Sequence, residues 1–276
     1  MVGAPALSAI GALRSGAGLA RLVMPEPVLL AALTIAPSAT GIVLPVEHSG
    51  EVIAHEGSAV LDEAIGECDC LAIGPGFGVS AGTRTLVLRA VQQEHVPVVV
   101  DADAINCLAD VAELAHDFRA AAVVTPHPGE YRRMAAALAL NEDPTGDDAA
   151  RRRACEEMAR RLGAVVVLKG AHTVVSDGHR TWVNLVTCDA LATAGTGDVL
   201  TGIIAGLIAQ FVAIKAHPAL PDSTEKPLSL YDAARLGVRA HAFAGQRWVD
   251  RKGESSGLLA KELAREVSGV LEGMRG

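Results

Sequence analysis

Eight short runs of β-branched and aliphatic residues recur along this chain, and most are apolar at every position rather than every second one. They are LARLVMP from Leu19, GIVLPV from Gly41, CLAIGPG from Cys70, VPVVVDAD from Val96, AAVVTPHP from Ala121, AVVVLKG from Ala164, TVVSDG from Thr173 and RTWVNL from Arg180. Unbroken apolarity is expected of a strand covered on both faces. Helical patterns fall between the runs, over 83–94, 129–139, 147–162, 199–214, 230–249 and 258–271. Alternation of this kind predicts an α/β fold, a mostly parallel sheet with helices on both sides. The last two runs are joined by Gly178 and His179, which predicts a small antiparallel hairpin.

The length, 276 residues with half of them apolar, suits one large α/β domain or two small ones, and a single domain over 1–276 is expected. Aromatics are only 3%, so the core must come from Ala, Val, Leu and Ile. A net charge of −8 argues against nucleic acid or an anionic membrane as main partner. It leaves a phosphate ligand open, because backbone amides bind anions without net positive charge. The five cysteines include no CxxC pair and read as buried thiols. No basic segment followed by an apolar run opens the chain, and the longest apolar run, 199–214, is shorter than the ~20 residues of a membrane span. A soluble cytoplasmic protein is expected. The proline-rich segment 216–227 reads as a surface excursion. The chain opens on a helical pattern, GAPALSAIGALRSGAGLA, where an α/β sheet usually opens on a strand.

The chemistry collects at the carboxyl ends of the expected strands, where doubly wound sheets bind ligands. TAGTGDVLTG puts Asp198 behind Gly195, Thr196 and Gly197, at the start of a buried helix. Free amides at a helix start carry partial positive charge, and glycines let an anion approach them closely. A carboxylate there can take a proton from an attacking hydroxyl. It can equally be a first-turn acid favoured by the dipole. IGPGFG, with Gly76 and Gly78, is a ligand cradle or a turn. Asp101 and Asp103 hold a water on magnesium or cap a helix. His127 stands between two prolines that fix its backbone, with Glu130 following at a helix start. LKGAHT sets Lys169 at a strand end, for a phosphate or a salt bridge.

Taken in order, GALRSGAGL, IGPGFG, DADAIN, TPHPGE, LKGAHT and TAGTGDVLTGIIAGLIAQ resemble the ADP- or ATP-dependent NAD(P)H-hydrate dehydratases. The likeness runs from Gly3 to about Leu271, and TPHPGE with GTGDVLTGI is its most specific part. The resemblance implies a ribokinase-like three-layer α/β/α fold. It implies repair of hydrated NADH or NADPH: the ring hydroxyl of the S epimer is phosphorylated from ADP or ATP, phosphate leaves, and the double bond returns. By the same pattern Asp198 is the base. Ala4, Gly76, Gly78, His127 and Asp198 line the hydrated dinucleotide. Lys169, Gly170, Ala171, His172 and Thr173, with Gly195, Thr196 and Gly197, line the adenine nucleotide. Mg2+ offsets phosphate charge, with Glu130 on the metal side. A homo-oligomer, a tetramer in the family's stand-alone forms, and a separate epimerase are expected.

The chain departs from the pattern in two places. The usual first strand with its Gly-Gly-Ser loop is missing ahead of Gly3, which should leave a gap in the sheet. Cys188 and Asp189 stand where the family has Gly-Asn, adding an acid ahead of the nucleotide loop. The rivals are a ribokinase-like kinase for a vitamin precursor and a non-catalytic nucleotide-binding module. A dehydrogenase is a poor reading, since no GxGxxG follows the first strand.

Overall fold

Every one of the eight runs forms a strand in the computed structural model, which describes residues 1–111, 113–212 and 227–275. The elements are, in chain order, α1 (Gly3–Arg14), β1 (Arg21–Met24), α2 (Glu26–Ile35), β2 (Thr40–Val43), α3 (Ala54–Glu67), β3 (Leu71–Ile73), α4 (Ala81–Gln92), β4 (Val98–Val100), α5 (Asp103–Leu108), α6 (Leu114–Asp117), β5 (Ala122–Val124), α7 (Pro128–Ala137), α8 (Asp148–Leu162), β6 (Val165–Leu168), β7 (Val174–Ser176), β8 (Thr181–Val183), α9 (Thr196–Phe211), α10 (Leu230–Lys252) and α11 (Ala260–Arg275). The proline-rich segment lies, apart from Pro227, outside the described residues.

The pleat sorts the valines into two cores. Val98, Val100, Val124 and Val166 pack with Leu61, Leu86, Met134 and Met158 of α3, α4, α7 and α8. Val99, Val123, Val165 and Val167 face the other way, onto Ile204 and Ile208 of α9 and Val238 of α10. Both faces are therefore dry, which is why these strands read as unbroken apolar runs. Three layers, α/β/α, result. No described helix is long and apolar enough to cross a membrane.

The main sheet has the order β3-β4-β5-β6-β7-β8. Strands β3 to β6 are parallel. Both β6–β7 and β7–β8 are antiparallel, so the antiparallel part is three strands rather than an isolated hairpin. Strands β1 and β2 pair in parallel as a separate sheet. Among the described residues nothing pairs with the outer edge of β3, and Ala72 on that strand is exposed while β4 and β5 are fully buried. Strands β1 and β2 thus stand apart from β3, a break in the sheet of the kind expected.

Helix α1 lies directly on α9. A side chain at Gly202 would meet the Ser8 carbonyl at 2.0 Å, and one at Gly11 the Val199 carbonyl at 2.5 Å. Backbone touches backbone here, and this contact sets α1 against the mouth of α9. Gly202→Ala is expected to cost about 3 kcal/mol in urea unfolding, as overpacking does at a rigid contact. Gly66→Ala is the control: its Cβ meets nothing within 4 Å, and about 0.5 kcal/mol of gain is expected. Equal effects at the two positions would show that α1 yields freely.

Candidate active site

The mouth of α9 is built by a glycine in the left-handed region. Gly195 caps the helix at φ 89°, and a side chain on it would meet Leu7 Cδ1 at 2.8 Å. Any other residue would be strained and crowded at once. Thr196 then turns inward. Its Oγ1 donates to the Leu191 and Thr193 carbonyls, each at 2.8 Å, and its amide points to the Thr193 carbonyl at 3.4 Å. The amides of Gly197 and Asp198 have no acceptor among the described residues. They are the orphan donors of a helix start, with the dipole behind them. Ser8 of α1 donates to the Asp198 carbonyl at 2.9 Å, so the carbonyl is held while the carboxylate stays at the mouth. The helix begins three residues before the apolar pattern does, which places Asp198 in its first turn.

Opposite these amides stands Lys169, at the end of β6. Its Nζ lies 2.7 Å from Asp101 Oδ1 and 3.7 Å from Glu130 Oε2, and 3.8 Å from where a Cβ on Gly197 would be. Asp101 is 1% exposed, and Thr201 Oγ1 donates to its second oxygen at 2.6 Å. Burial works against the Lys169 ammonium, but Asp101 and Glu130 outweigh it and hold its pKa above the ordinary lysine range. Asp198 responds to the same field. Burial pushes its pKa up to about 6, Asp101 adds to the rise, and Lys169 opposes it. A carboxylate near pH 6 is ionised at neutral pH yet basic enough to accept a proton.

The remaining sequence-derived residues fall around this centre. His127 caps α7: its Nδ1 accepts from the Gly129 and Glu130 amides at 2.9 and 3.3 Å, and Glu130 Oε2 accepts from the His127 amide at 2.8 Å. This is a reciprocal capping box. His127 Nε2 lies 3.3 Å from Glu130 Oε1, and half of the ring is exposed. Both Glu130 oxygens are thus engaged within the protein. Gly170 to Thr173 form the loop after Lys169. Arg151 of α8 donates to the carbonyls of Lys169 and His172, at 3.3 and 3.2 Å. His172 Nδ1 lies 2.9 Å from Asp148, and Thr173 Oγ1 donates to the Gly170 carbonyl at 2.9 Å. Ala171 is exposed on the loop. Gly76 sits against Met1 and Pro5 of the segment bearing Ala4. Ser8 bridges the Ala4 and Asp198 carbonyls, at 3.2 and 2.9 Å. Gly78 donates to Asp103 at 2.8 Å. Asp189 is exposed on a short 3-10 turn before the loop.

Sequence reasoning left Asp101 between magnesium and a cap; it caps no helix, since Ala102 is the N-cap of α5, and its carboxylate pairs with Lys169. Thr201, Arg151 and His241 were missed. Arg151 alone gave a signal: of the three arginines 151–153, it is the one in helical phase with buried Cys155 and Met158.

A ribokinase-like superfamily protein of Enterococcus faecalis shares the fold, with TM-score 0.73 at 22% identity over 98% of this chain and 82% of that one. The NAD(P)H-hydrate dehydratase (Carb_kinase) family profile matches residues 1–268, and the chain belongs to that family. The chain is 34% identical over 272 residues to the ADP-dependent (S)-NAD(P)H-hydrate dehydratase of Xanthomonas campestris, covering 98% of this chain and 84% of that one. It also resembles the ADP/ATP-dependent NAD(P)H-hydrate dehydratase of Bacillus subtilis, co-crystallized with ATP/Mg2+ and soaked with CoA. That likeness has TM-score 0.73 and 27% identity over 99% of this chain and 87% of that one. The chain spans less than half the length of the bifunctional NAD(P)H-hydrate repair enzymes it matches first.

Proposed function

We propose that this chain returns (S)-hydrated NADH and NADPH to NADH and NADPH, with ADP or ATP as phosphoryl donor. One observation carries the reading. A carboxylate tuned to about pKa 6 shares a helix mouth with two open amides, and a partly buried lysine faces them. Asp198 takes the proton from the ring hydroxyl as its oxygen attacks the terminal phosphorus of the nucleotide. The new P–O bond forms as the bond to the shortened nucleotide breaks. The Gly197 and Asp198 amides and Lys169 stabilise the equatorial oxygens in that passage. The ring C–O bond then breaks, phosphate departs with the bonding pair, and loss of a proton from the neighbouring carbon restores the double bond.

In this reading Ala4, Gly76, Gly78 and His127 line the dinucleotide side, and Lys169 to Thr173 with Gly195 to Gly197 the adenine-nucleotide side. The positions above support that split for all but one residue: Ala4, Gly76 and Gly78 lie on α1 and the β3 loop, the second group on the β6 loop and at the start of α9, while His127 caps α7 beside Glu130. Magnesium belongs to the reading only through the nucleotide. Among the described residues no three metal-ligating side chains cluster, and no step is assigned to a resident ion. A single domain over 1–276, a cytoplasmic setting and a homotetramer are carried as parts of the same proposal. A partner epimerase is too, and the bifunctional naming of the longer relatives is what supports a second activity.

The test is to incubate the protein with hydrated NADH, magnesium, and ADP or ATP in parallel, following the absorbance of reduced nicotinamide. Recovery is expected with at least one donor, and the faster one names it. Absence of recovery with both donors and both hydrated dinucleotides would overturn the proposal.

A further inference from the structure

Behind the amides of α9 lies a side chain that no step above uses. His241 sits midway along α10, and the face it shares with Gly237 and Gly245 is turned to the back of the loop. A side chain at Gly237 would meet Ile204 Cγ1 of α9 at 2.7 Å, and one at Gly245 would meet Leu191 Cγ at 2.8 Å. The two glycines stand four residues to either side of His241, and so on its face of the helix. They bring α10 close enough for one imidazole to span the distance. His241 Nε2 lies 2.9 Å from the Thr196 carbonyl. A carbonyl only accepts, so Nε2 carries the proton.

The place of that bond matters. Thr196 and Asp198 flank Gly197. The Asp198 carbonyl is held by Ser8 of α1 at 2.9 Å, and the Thr196 carbonyl by His241 of α10 at 2.9 Å. The peptide unit that enters Gly197 is therefore tied by α10, and the one that leaves Asp198 by α1. The Thr196 carbonyl and the Gly197 amide belong to one planar unit, so fixing the oxygen fixes the direction of the N–H. A glycine position with little side-chain anchoring of its own is where such an outside tie has most effect. Burial holds the His241 pKa down to about 4, and Lys169 nearby adds to the fall, so the ring is a neutral donor at working pH.

We infer that His241 is a positioning residue, whose Nε2–H bond to the Thr196 carbonyl aims the Gly197 amide at the transferring phosphoryl group. The inference rests on the proposed dehydratase reading for its kinetic test and on nucleotide binding for a test independent of it. Losing one preorganised donor costs up to 10²–10³-fold in other enzymes. A donor that is mis-aimed rather than removed should cost about 10- to 100-fold.

The experiment compares His241→Leu, His241→Gln and His241→Asn with the full chain, each checked first by thermal unfolding. Leu fills similar volume without a donor. The Gln amide reaches about as far as Nε2, and the Asn amide stops a bond short. For Leu, kcat is expected to fall about 10- to 100-fold and the nucleotide KM to rise, with the hydrated-dinucleotide KM within about twofold. Gln should return kcat to within about fivefold of the parent, and Asn should not. A purely packing role would instead rank the variants by stability and leave this order unmet. Parent-like kcat in a folded Leu variant, or Gln no better than Asn, would overturn the inference. If Leu does not fold, the Gln and Asn pair decides alone. If the parent chain turns over no hydrated dinucleotide, the function proposal has failed, and ADP titration calorimetry decides this one. Affinity should fall about tenfold in Leu or Asn and recover in Gln; equal affinities would overturn the inference.

Discussion

Asp198→Asn is expected to abolish turnover and, above pH 6, to make the protein more stable. The two effects have one cause. Burial first, and then the charge of Asp101, raise the Asp198 pKa from 3.8 to about 6. The fold therefore favours the protonated acid, and ionisation at neutral pH works against the folded state. The sign follows from linkage: a carboxyl whose folded pKa is raised loses stability as pH climbs from its unfolded value to its folded one. The cost is complete above about pH 6 and absent below about pH 4. Asn is neutral throughout. Asp198 is partly exposed, so solvent screening trims the full value of the shift to about 1–2 kcal/mol. Urea unfolding of Asp198→Asn at pH 8 should show that gain, and at pH 4 the two proteins should coincide. Turnover should fall by at least about 10³-fold, the upper part of the range for a lost general base. In the parent, kcat/KM should rise with pH through a midpoint near 6. Parent-like rates in the variant would remove Asp198 from the mechanism. A loss of stability at pH 8 would show the carboxylate to be a structural acid.

The sequence exposed what is local and hid what is brought together from afar. VPVVV announced β4 because both faces of Val98 to Val100 are buried, and a doubly covered strand has no polar face to interrupt it. The mouth of α9 was legible for a similar reason. Gly195 needs left-handed backbone, and the apolar helix follows at once. Helix α2 was missed because its ten residues are nearly all apolar and show no stripe. Helix α5 is six residues long, too short to show a period. The residues at the centre of the site, Thr201 apart, were legible as candidates, but their pairing was not. Asp101 meets Lys169 across 68 residues and Thr201 across 100, and nothing in the local pattern of any of them marks the meeting. The split of the sheet follows the same rule. It was expected from the resemblance and not from the residues, since strand order is a long-range property.

Lys169→Met is expected to destabilise the protein by about 3 kcal/mol, because it strands a buried charge rather than because it removes a good contact. Asp101 is 1% exposed and has two partners, Lys169 at 2.7 Å and Thr201 at 2.6 Å. Without the ammonium, one hydroxyl remains to satisfy a carboxylate sealed from water. The double variant Lys169→Met with Asp101→Asn removes both charges, and most of the lost stability should return. A neutral pair of similar volume often matches a buried ion pair, since desolvation offsets much of the Coulomb attraction. Activity should not return with it, because the positive charge opposite the Gly197 and Asp198 amides is still missing. Chemical unfolding of the four proteins in a double-mutant cycle measures the coupling, expected at about 2 kcal/mol or more. Turnover and ADP affinity on the same set should stay low in both proteins that lack Lys169. That divergence would show an ion pair retained for the phosphoryl group it faces and not for the stability of the fold. If the double variant is as unstable as Lys169→Met alone, Lys169 matters through the packing of its stem. If activity returns with the stability, its charge has no part in the chemistry.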